Sequence, residues 1–302
     1  MRLIPSCLAV ALLFLPIRAG SAQQDFSKTE VTATKLGEGV HVLFGAGGNI
    51  GVSSGKDGVF LIDDQYAPLT AKIRAAVAGI SDRPIRFVLN THWHGDHSGG
   101  NENLGGAGAI IVAHENVRKR MSVEQFLEAF GQKFPPSPEA ALPVVTYSES
   151  VTFHLNGEEI HCFHLPPAHT DGDSVVHFKK ANVIHMGDLF FNGLYPFIDA
   201  DTGGSLEGMI GSADRILTLA NDSTQIIPGH GPMAKKADLR AFRDMLAGVR
   251  DKMKPLVTAG KSLSEVQAAK PTQAFDGAWG KGFLKPEQFV AVAYASLGGK
   301  KK

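Results

Sequence analysis

Short apolar runs broken by polar and glycine-rich turns fill the first three-quarters of the chain, and longer amphipathic stretches fill the rest. Residues 40–43 and 59–62 read as strands around the segment Gly45-Ala46-Gly47-Gly48, since apolar runs of this length between turn formers suit a buried strand. Residues 69–80 carry the spacing of an amphipathic helix, and Pro84 closes the approach to a β-branched run at 85–89. A further strand is predicted at 109–112, then a helix over 115–130 with Met121, Phe126, Leu127 and Phe130 on its apolar side. The prolines from Phe134 to Pro138 mark a loop rather than a domain linker, because strand patterns resume soon after. Strand-like runs at 160–165, 182–185 and 224–227 follow, with helices at 206–219 and 237–256. Beyond Thr258 the pattern is of small helices, the last (287–297) packing back. Strands alternating with helices predict an α/β (α+β) fold, with residues 23–302 as one domain closed by a helical segment.

Polar residues cluster where these strands end. After the run at 85–89 comes His92-Trp93-His94-Gly95-Asp96-His97, the pattern H-x-H-x-D-H, closed by Ser98-Gly99-Gly100. Imidazole nitrogens and a carboxylate are the donors that zinc and similar divalent ions favour. Three more candidates follow strand-like runs: His169 after 160–165, Asp188 after 182–185 and His230 after 224–227. Glycine flanks most of them, as tight turns require. Such a set describes one rim of a sheet assembly, with loops delivering side chains over a rigid scaffold. Trp93, between two histidines in an extended stretch, should point away from them and pack. Ser98 reads as a turn residue and Cys162 as a small core residue. His41, His154, His161, His164 and His177 fall on strand patterns without partner spacing. His114 and His185 are candidates to support a ligand from behind.

On these residues the chain resembles the metallo-β-lactamase superfamily from about Val31 to Pro232. The resemblance implies a four-layer αββα sandwich and two zinc ions, with iron or manganese as chemically acceptable substitutes. It assigns His92, His94 and His169 to a first metal and Asp96, His97 and His230 to a second, with Asp188 bridging both. Asp63, ending the run at 59–62, matches the acidic residue that braces the motif loop. The implied activity is hydrolysis of a carbonyl-type bond (β-lactam amide, lactone, ester or thioester) by hydroxide generated at the metals, with Asp96 catalytic in orienting it. The alternative on the same fold is a thiol or persulfide oxidoreductase with one iron on two histidines and one aspartate. A third is a metal-binding protein without turnover.

Whole-chain properties narrow the setting. Met1-Arg2 and the apolar stretch 3–17 resemble a secretory signal peptide, and Gly20-Ser21-Ala22 offers small residues for cleavage. The expectation is an exported protein, periplasmic or secreted, with residues 1–22 removed and no membrane association afterwards. Cys7 would leave with the leader, so Cys162 alone could form no intramolecular disulfide. Of 30 Lys+Arg and 30 Asp+Glu, cleavage would remove Arg2 and Arg18, leaving 28 against 30, a net −2 with neutral histidines. No basic field for nucleic acid results, and Lys300-Lys301-Lys302 reads as a solvated tail, so the partner is a small-molecule substrate.

The donor set also separates branches of that superfamily. Dedicated β-lactamases of the family commonly carry cysteine where Asp188 stands or alter the first motif, and often carry a lysine soon after that cysteine; here residues 189–195 are Leu-Phe-Phe-Asn-Gly-Leu-Tyr. The full set is more similar to the glyoxalase II, lactonase and arylsulfatase-like side. Export nevertheless keeps β-lactam hydrolysis as a main or side activity. The aromatic stretch suggests an apolar substrate group near the metals, or core packing beneath the loop. Residues 117–145, long and proline-bounded, are read as a lid beside the site, with packing as the rival role.

Overall fold

The computed structural model describes residues 25–299. The leader read in residues 1–22, with Cys7, and the lysine tail lie outside the described residues. Among the described residues no helix is long and apolar enough to cross a membrane.

In chain order the first half comprises β1 (Thr32–Gly37), β2 (Val40–Phe44), β3 (Ile50–Gly55), β4 (Gly58–Ile62), α1 (Thr70–Ala78), β5 (Ile85–Asn90), the single turn α2 (Gly95–Ser98), α3 (Asn101–Gly106), β6 (Ile110–His114), α4 (Glu115–Met121), β7 (Gln125–Leu127), β8 (Gln132–Phe134) and β9 (Val145–Tyr147). The second comprises β10 (Ser150–Leu155), β11 (Glu158–His164), β12 (Ser174–Phe178), β13 (Val183–His185), α5 (Leu206–Leu219), β14 (Gln225–Ile227), β15 (Ala234–Lys235), α6 (Lys236–Thr258), α7 (Leu263–Ala268), α8 (Asp276–Trp279) and α9 (Pro286–Ser296). One sheet has the order β1-β2-β3-β4-β5-β6-β9, antiparallel through β4 and parallel from β4 to β9. The other runs β10 to β15 in sequence, antiparallel except for the parallel pair β13–β14.

The central strands are apolar on both faces because both are covered. Phe60, Ile62, Leu89 and Val112 of the first sheet share the inter-sheet core with Ile160, Cys162, Val176, Phe178 and Ile227 of the second. The alternate positions Leu61, Val88 and Ile111 turn outward onto Ile73 and Val77 of α1 and Leu104 of α3. Behind the second sheet, Ile184 and Ile226 join Met209 and Ile216 of α5, Phe242 and Leu246 of α6 and Phe289 of α9. The layers are therefore helix, sheet, sheet, helix: a four-layer αββα sandwich.

The helix expected over 115–130 is a correction. Helix α4 stops at Met121, and β7 and β8 form a separate two-stranded hairpin whose turn places Gly131 at φ 60°. Gln125 and Leu127 are buried while Phe126 between them is exposed, a period of two that belongs to a strand. The strands β1, β3, β10 and β12, polar or glycine-rich in part, were not among those predicted from apolar runs.

Parallel pairing sets the C-terminal ends of β4, β5 and β6 on one edge of their sheet, and those of β13 and β14 on one edge of theirs. The two edges meet. Ser174 N donates to Thr91 O at 2.9 Å, Asn49 N to Gly229 O at 2.7 Å and His185 Nε2 to Asn49 O at 2.9 Å. Every loop carrying a candidate donor leaves from this rim.

Candidate metal centre

The structure brings all seven candidate donors together: His92, His94, His169 and Asp188 in one cluster, Asp96, His97 and His230 in the next, with the donor atoms of each cluster within 4.8 Å of one another. Asp188 joins them. Its Oδ2 lies 3.9 Å from His92 Nε2 and 3.5 Å from His169 Nε2, while Oδ1 lies 3.0 Å from His97 Nε2 and 3.4 Å from His230 Nε2. Asp96 Oδ2 sits 3.2 Å from His230 Nε2, and the two imidazole nitrogens His97 Nε2 and His230 Nε2 are 3.3 Å apart.

Surrounding groups decide which nitrogen of each ring carries its proton. Thr91 Oγ1 donates to Asp63 Oδ2 (2.8 Å), so its lone pair receives a proton from His92 Nδ1 at 3.0 Å. His169 Nδ1 donates to the carbonyl of Phe197 at 2.8 Å. His94 Nε2 donates to Asp199 Oδ2 at 3.0 Å. His97 Nδ1 donates to Asp63 Oδ2 at 2.7 Å. For His92, His94 and His169 each bond leaves the opposite nitrogen as a lone pair aimed inward, whereas His97 Nε2 faces Asp188 Oδ1 and can carry a proton toward it. His94 Nδ1 and His169 Nε2 then face each other at 2.9 Å, and His92 Nε2 and Asp188 Oδ1 are buried without a hydrogen-bond partner. Lone pairs and carboxylate oxygens converging this closely repel unless a cation lies among them. Tetrahedral ligands at zinc's usual bond lengths stand about 3.4 Å apart, and the donor separations here fall on both sides of that value. The residues fit a pair of divalent cations.

Electrostatics divides the clusters. Burial, and then the charge on His97, holds His92 well below the ordinary histidine range, and burial pushes His169 down to about 4. Both are neutral near pH 7, as a ligand must be. Burial would also depress His97 and His230, but carboxylates outweigh it. Asp188, Asp96 and Asp63 hold His97 well above its ordinary value, and Asp188 with Asp96 raises His230 to about 9. Burial opposes charge on Asp96 too; His97 and His230 overcome this and lower it to about 2. The second cluster therefore gathers protons when it holds no metal, and metal and protons compete for it.

The local sequence makes this packing feasible. Asp63 at φ 65° and Gln65 at φ 56° occupy the left-handed region, which turns the chain sharply off β4 and points the Asp63 carboxylate at Thr91 N (2.7 Å) and His97. A side chain at Gly229 would collide with Asp188 Oδ1, and one at Gly48 with the His97 ring, so glycine at both lets backbone close around the donors. Ser98 Oγ donates to the carbonyls of Trp93 and His94, each at 3.0 Å, which tightens the motif turn. Trp93 is buried against Phe134 with ring centroids 5.9 Å apart.

The remaining histidines lie outside the clusters. His41, His154, His161, His164 and His177 stand on strands. His114 caps α4, accepting from Asn116 N at 3.3 Å, and stacks on His164 rather than supporting a ligand. His185 supports indirectly: its Nδ1 accepts from Gly187 N at 3.1 Å while Nε2 holds Asn49. Sequence reasoning missed two supporting residues. Asn49 donates to the carbonyls of Pro228 and Gly231, both at 2.9 Å, and so ties the His230 loop to β3. Asp199 braces His94 and is itself fixed by Thr202 Oγ1 at 2.6 Å. The available signal for Asp199 was an acid ending the apolar stretch Tyr195-Pro196-Phe197-Ile198.

Comparison with known proteins agrees with this geometry. Residues 44–230 match the family model described as Metallo-beta-lactamase superfamily. The alpha subunit of 2,4-dinitroanisole O-demethylase from Nocardioides sp. is 25% identical over 143 residues, 46% of this chain and 40% of the relative. Acyl-coenzyme A thioesterase MBLAC2 from Bos taurus is 24% identical over 181 residues, 55% of this chain and 62% of the relative. In both cases less than two-thirds of the relative's own length is matched. The solved metallo-beta-lactamase from Pontibacter korlensis superposes with TM-score 0.60 at 20% identity, covering 72% of this chain and 99% of that one.

Proposed function

The chain belongs to the metallo-beta-lactamase superfamily, and we propose that it is a two-metal, zinc-dependent hydrolase of a carbonyl-type bond in a small molecule: a β-lactam amide, lactone, ester or thioester. The observation that carries the proposal is Asp188, whose two oxygens each face a different cluster of imidazole nitrogens. A pair of bound divalent cations supplies Lewis acidity and lowers the pKa of water to about 7. His92, His94 and His169 would hold one, Asp96, His97 and His230 the other, with Asp188 common to both.

The chain's own groups do the rest. Asp96 is the donor-set carboxylate open to solvent, its side chain 22% exposed against 5% for Asp188. That exposure lets its oxygen accept a hydrogen bond from an attacking water, orient it and pass a proton to the leaving atom. Asp63, Asp199 and the Phe197 carbonyl fix the imidazoles, so the donors need not reorganise during turnover. The completed second cluster favours this reading over a single-iron oxidoreductase. A thioesterase among the relatives supports the thioester within the range, and the missing cysteine at Asp188 weighs against a dedicated β-lactamase. The leader read in residues 1–22 adds export to the periplasm or medium to the proposal.

The test is a panel of chromogenic cephalosporin, γ-lactone, aryl ester and acyl thioester offered to zinc-loaded protein beside Asp96→Asn. Turnover of at least one class, reduced a hundredfold or more in the variant, is expected. Zinc fully bound with no turnover of any class, or equal rates in both proteins, would overturn the proposal.

A further inference from the structure

A cavity of about 520 Å³ adjoins the metal centre, between the β7–β8 hairpin, the segment 197–201 and helix α9. Its walls are mostly apolar: Phe130 from the hairpin turn, Phe197 and Ile198, and Leu284, Ala291 and Val292 from the C-terminal segment. Phe197 belongs to both places. Its ring centroid is 5.8 Å from His94, 5.9 Å from His169 and 4.9 Å from Phe130, so one aromatic ring is in contact with both the clustered imidazoles and the cavity wall.

The turn next to Phe197 couples the two further. Asp199 and Thr202 face inward, Asp199 to His94 and Thr202 to the Trp93 indole. Ala200 and Asp201 face the cavity, and Asp201 Oδ2 accepts from Glu128 N at 2.8 Å, which anchors the hairpin. Phe130 is 48% exposed, an uncommon placement for a phenylalanine whose neighbours form an apolar wall. Among the described lining residues the polar groups are those of Glu128, Asp201, Gln288 and Tyr294, and the two carboxylates disfavour an anionic tail and favour a neutral one.

We propose that this cavity is an acyl-chain subsite: the substrate is a carbonyl compound bearing a medium-length, uncharged aliphatic chain, which passes over Phe197 and lies between the hairpin and α9. The inference rests on the hydrolase reading above and names the substrate class of the same site. If a methylene takes up about the space of a water molecule, roughly 30 Å³, a chain of eight to twelve carbons fills about 240–360 Å³ and leaves part of the cavity for the bend at Phe197. For an ester, water adds its oxygen to the acyl carbon, the bond from that carbon to the alkoxy oxygen breaks, and the water's proton passes to the leaving alcohol. The chain remains on the carboxylic acid product, and nothing is oxidised or reduced.

The experiment has two arms. In the first, zinc-loaded protein is given p-nitrophenyl acetate, butyrate, octanoate and decanoate, together with Ala291→Trp, which fills the cavity from a half-buried position, and Phe130→Ser, which changes an exposed one. Each methylene buried from water is worth up to about fourfold. The octanoate kcat/KM should therefore exceed that of the acetate by tenfold or more, and Ala291→Trp should remove the gain while leaving the acetate rate within twofold. In the second arm, a neutral fluorescent probe (N-phenyl-1-naphthylamine) is displaced by decanamide, a readout independent of turnover, with thermal melting to show that the variants fold. Acetate hydrolysis without a chain-length gain overturns the subsite and leaves the hydrolase reading standing. If no ester is turned over, displacement by decanamide that is lost in Ala291→Trp still supports the subsite, and absence of displacement from the native protein overturns it.

Discussion

At the scale of single residues, the centre is governed by which nitrogen of each imidazole keeps its proton. The donors themselves were legible in the sequence because four of them fall in one hexapeptide and the rest follow strand-like runs on glycine-flanked loops. Their supports were harder to read. Asp63 adjoins a strand end and was found, whereas Asp199 lies thirty residues beyond His169 in an apolar neighbourhood, and its use depends on where the chain folds back. Asn49 gives no signal at all, because its side chain acts on carbonyls of a loop distant in sequence. Asp63 accepts from three donors: Thr91 N, Thr91 Oγ1 and His97 Nδ1. In Asp63→Asn an amide NH₂ would confront at least one of them. Metal affinity of the Asp96/His97/His230 cluster should fall by about 10- to 100-fold, measured by competition with a chelating dye. Unchanged affinity would show that His97 needs no such brace.

At the scale of elements, the parallel pairs matter most, since they carry β4, β5, β13 and β14 to a shared rim. Apolar runs made these strands legible, and α5 has the expected bounds, Leu206–Leu219. The hairpin of β7 and β8 was not legible, because Met121, Phe126, Leu127 and Phe130 also satisfy a helical spacing; the structure shows that burial there alternates. The junction of β6, α4 and β11 carries its own pH dependence. His114 and His164 stack at 3.8 Å between ring centroids, and burial lowers the pKa of each. Both take up protons less readily in the fold than once unfolded, where a histidine titrates near about 6.5. The unfolded chain then binds more protons, so this pair's contribution to stability is lost as pH falls below that value. The urea midpoint should decline from pH 7.5 to 5.5, and His164→Gln should flatten part of the decline. A variant with an unaltered slope would remove this pair from the account.

At the scale of the whole molecule, two sheets from different halves of the chain supply one site, so whatever binds there also holds the halves together. His97 and Asp188 come from opposite sheets and lie 3.0 Å apart. Cys162, buried with its thiol pKa pushed up, offers no disulfide or reactive group to share that task. Metal present at about a thousandfold above its dissociation constant stabilises the native state by about 4 kcal/mol. For a domain of this size that amounts to roughly 10 °C in Tm. Dialysis against a chelator should lower Tm by that order, and zinc should restore it; a Tm indifferent to chelation would mean that the halves hold without metal. If Asp188 is shared by two metal sites as proposed, plasma mass spectrometry should find two ions per chain in the zinc-loaded native protein and no more than one in Asp188→Ala. A native protein that saturates at a single ion, or an Asp188→Ala variant that retains both, would contradict the proposal.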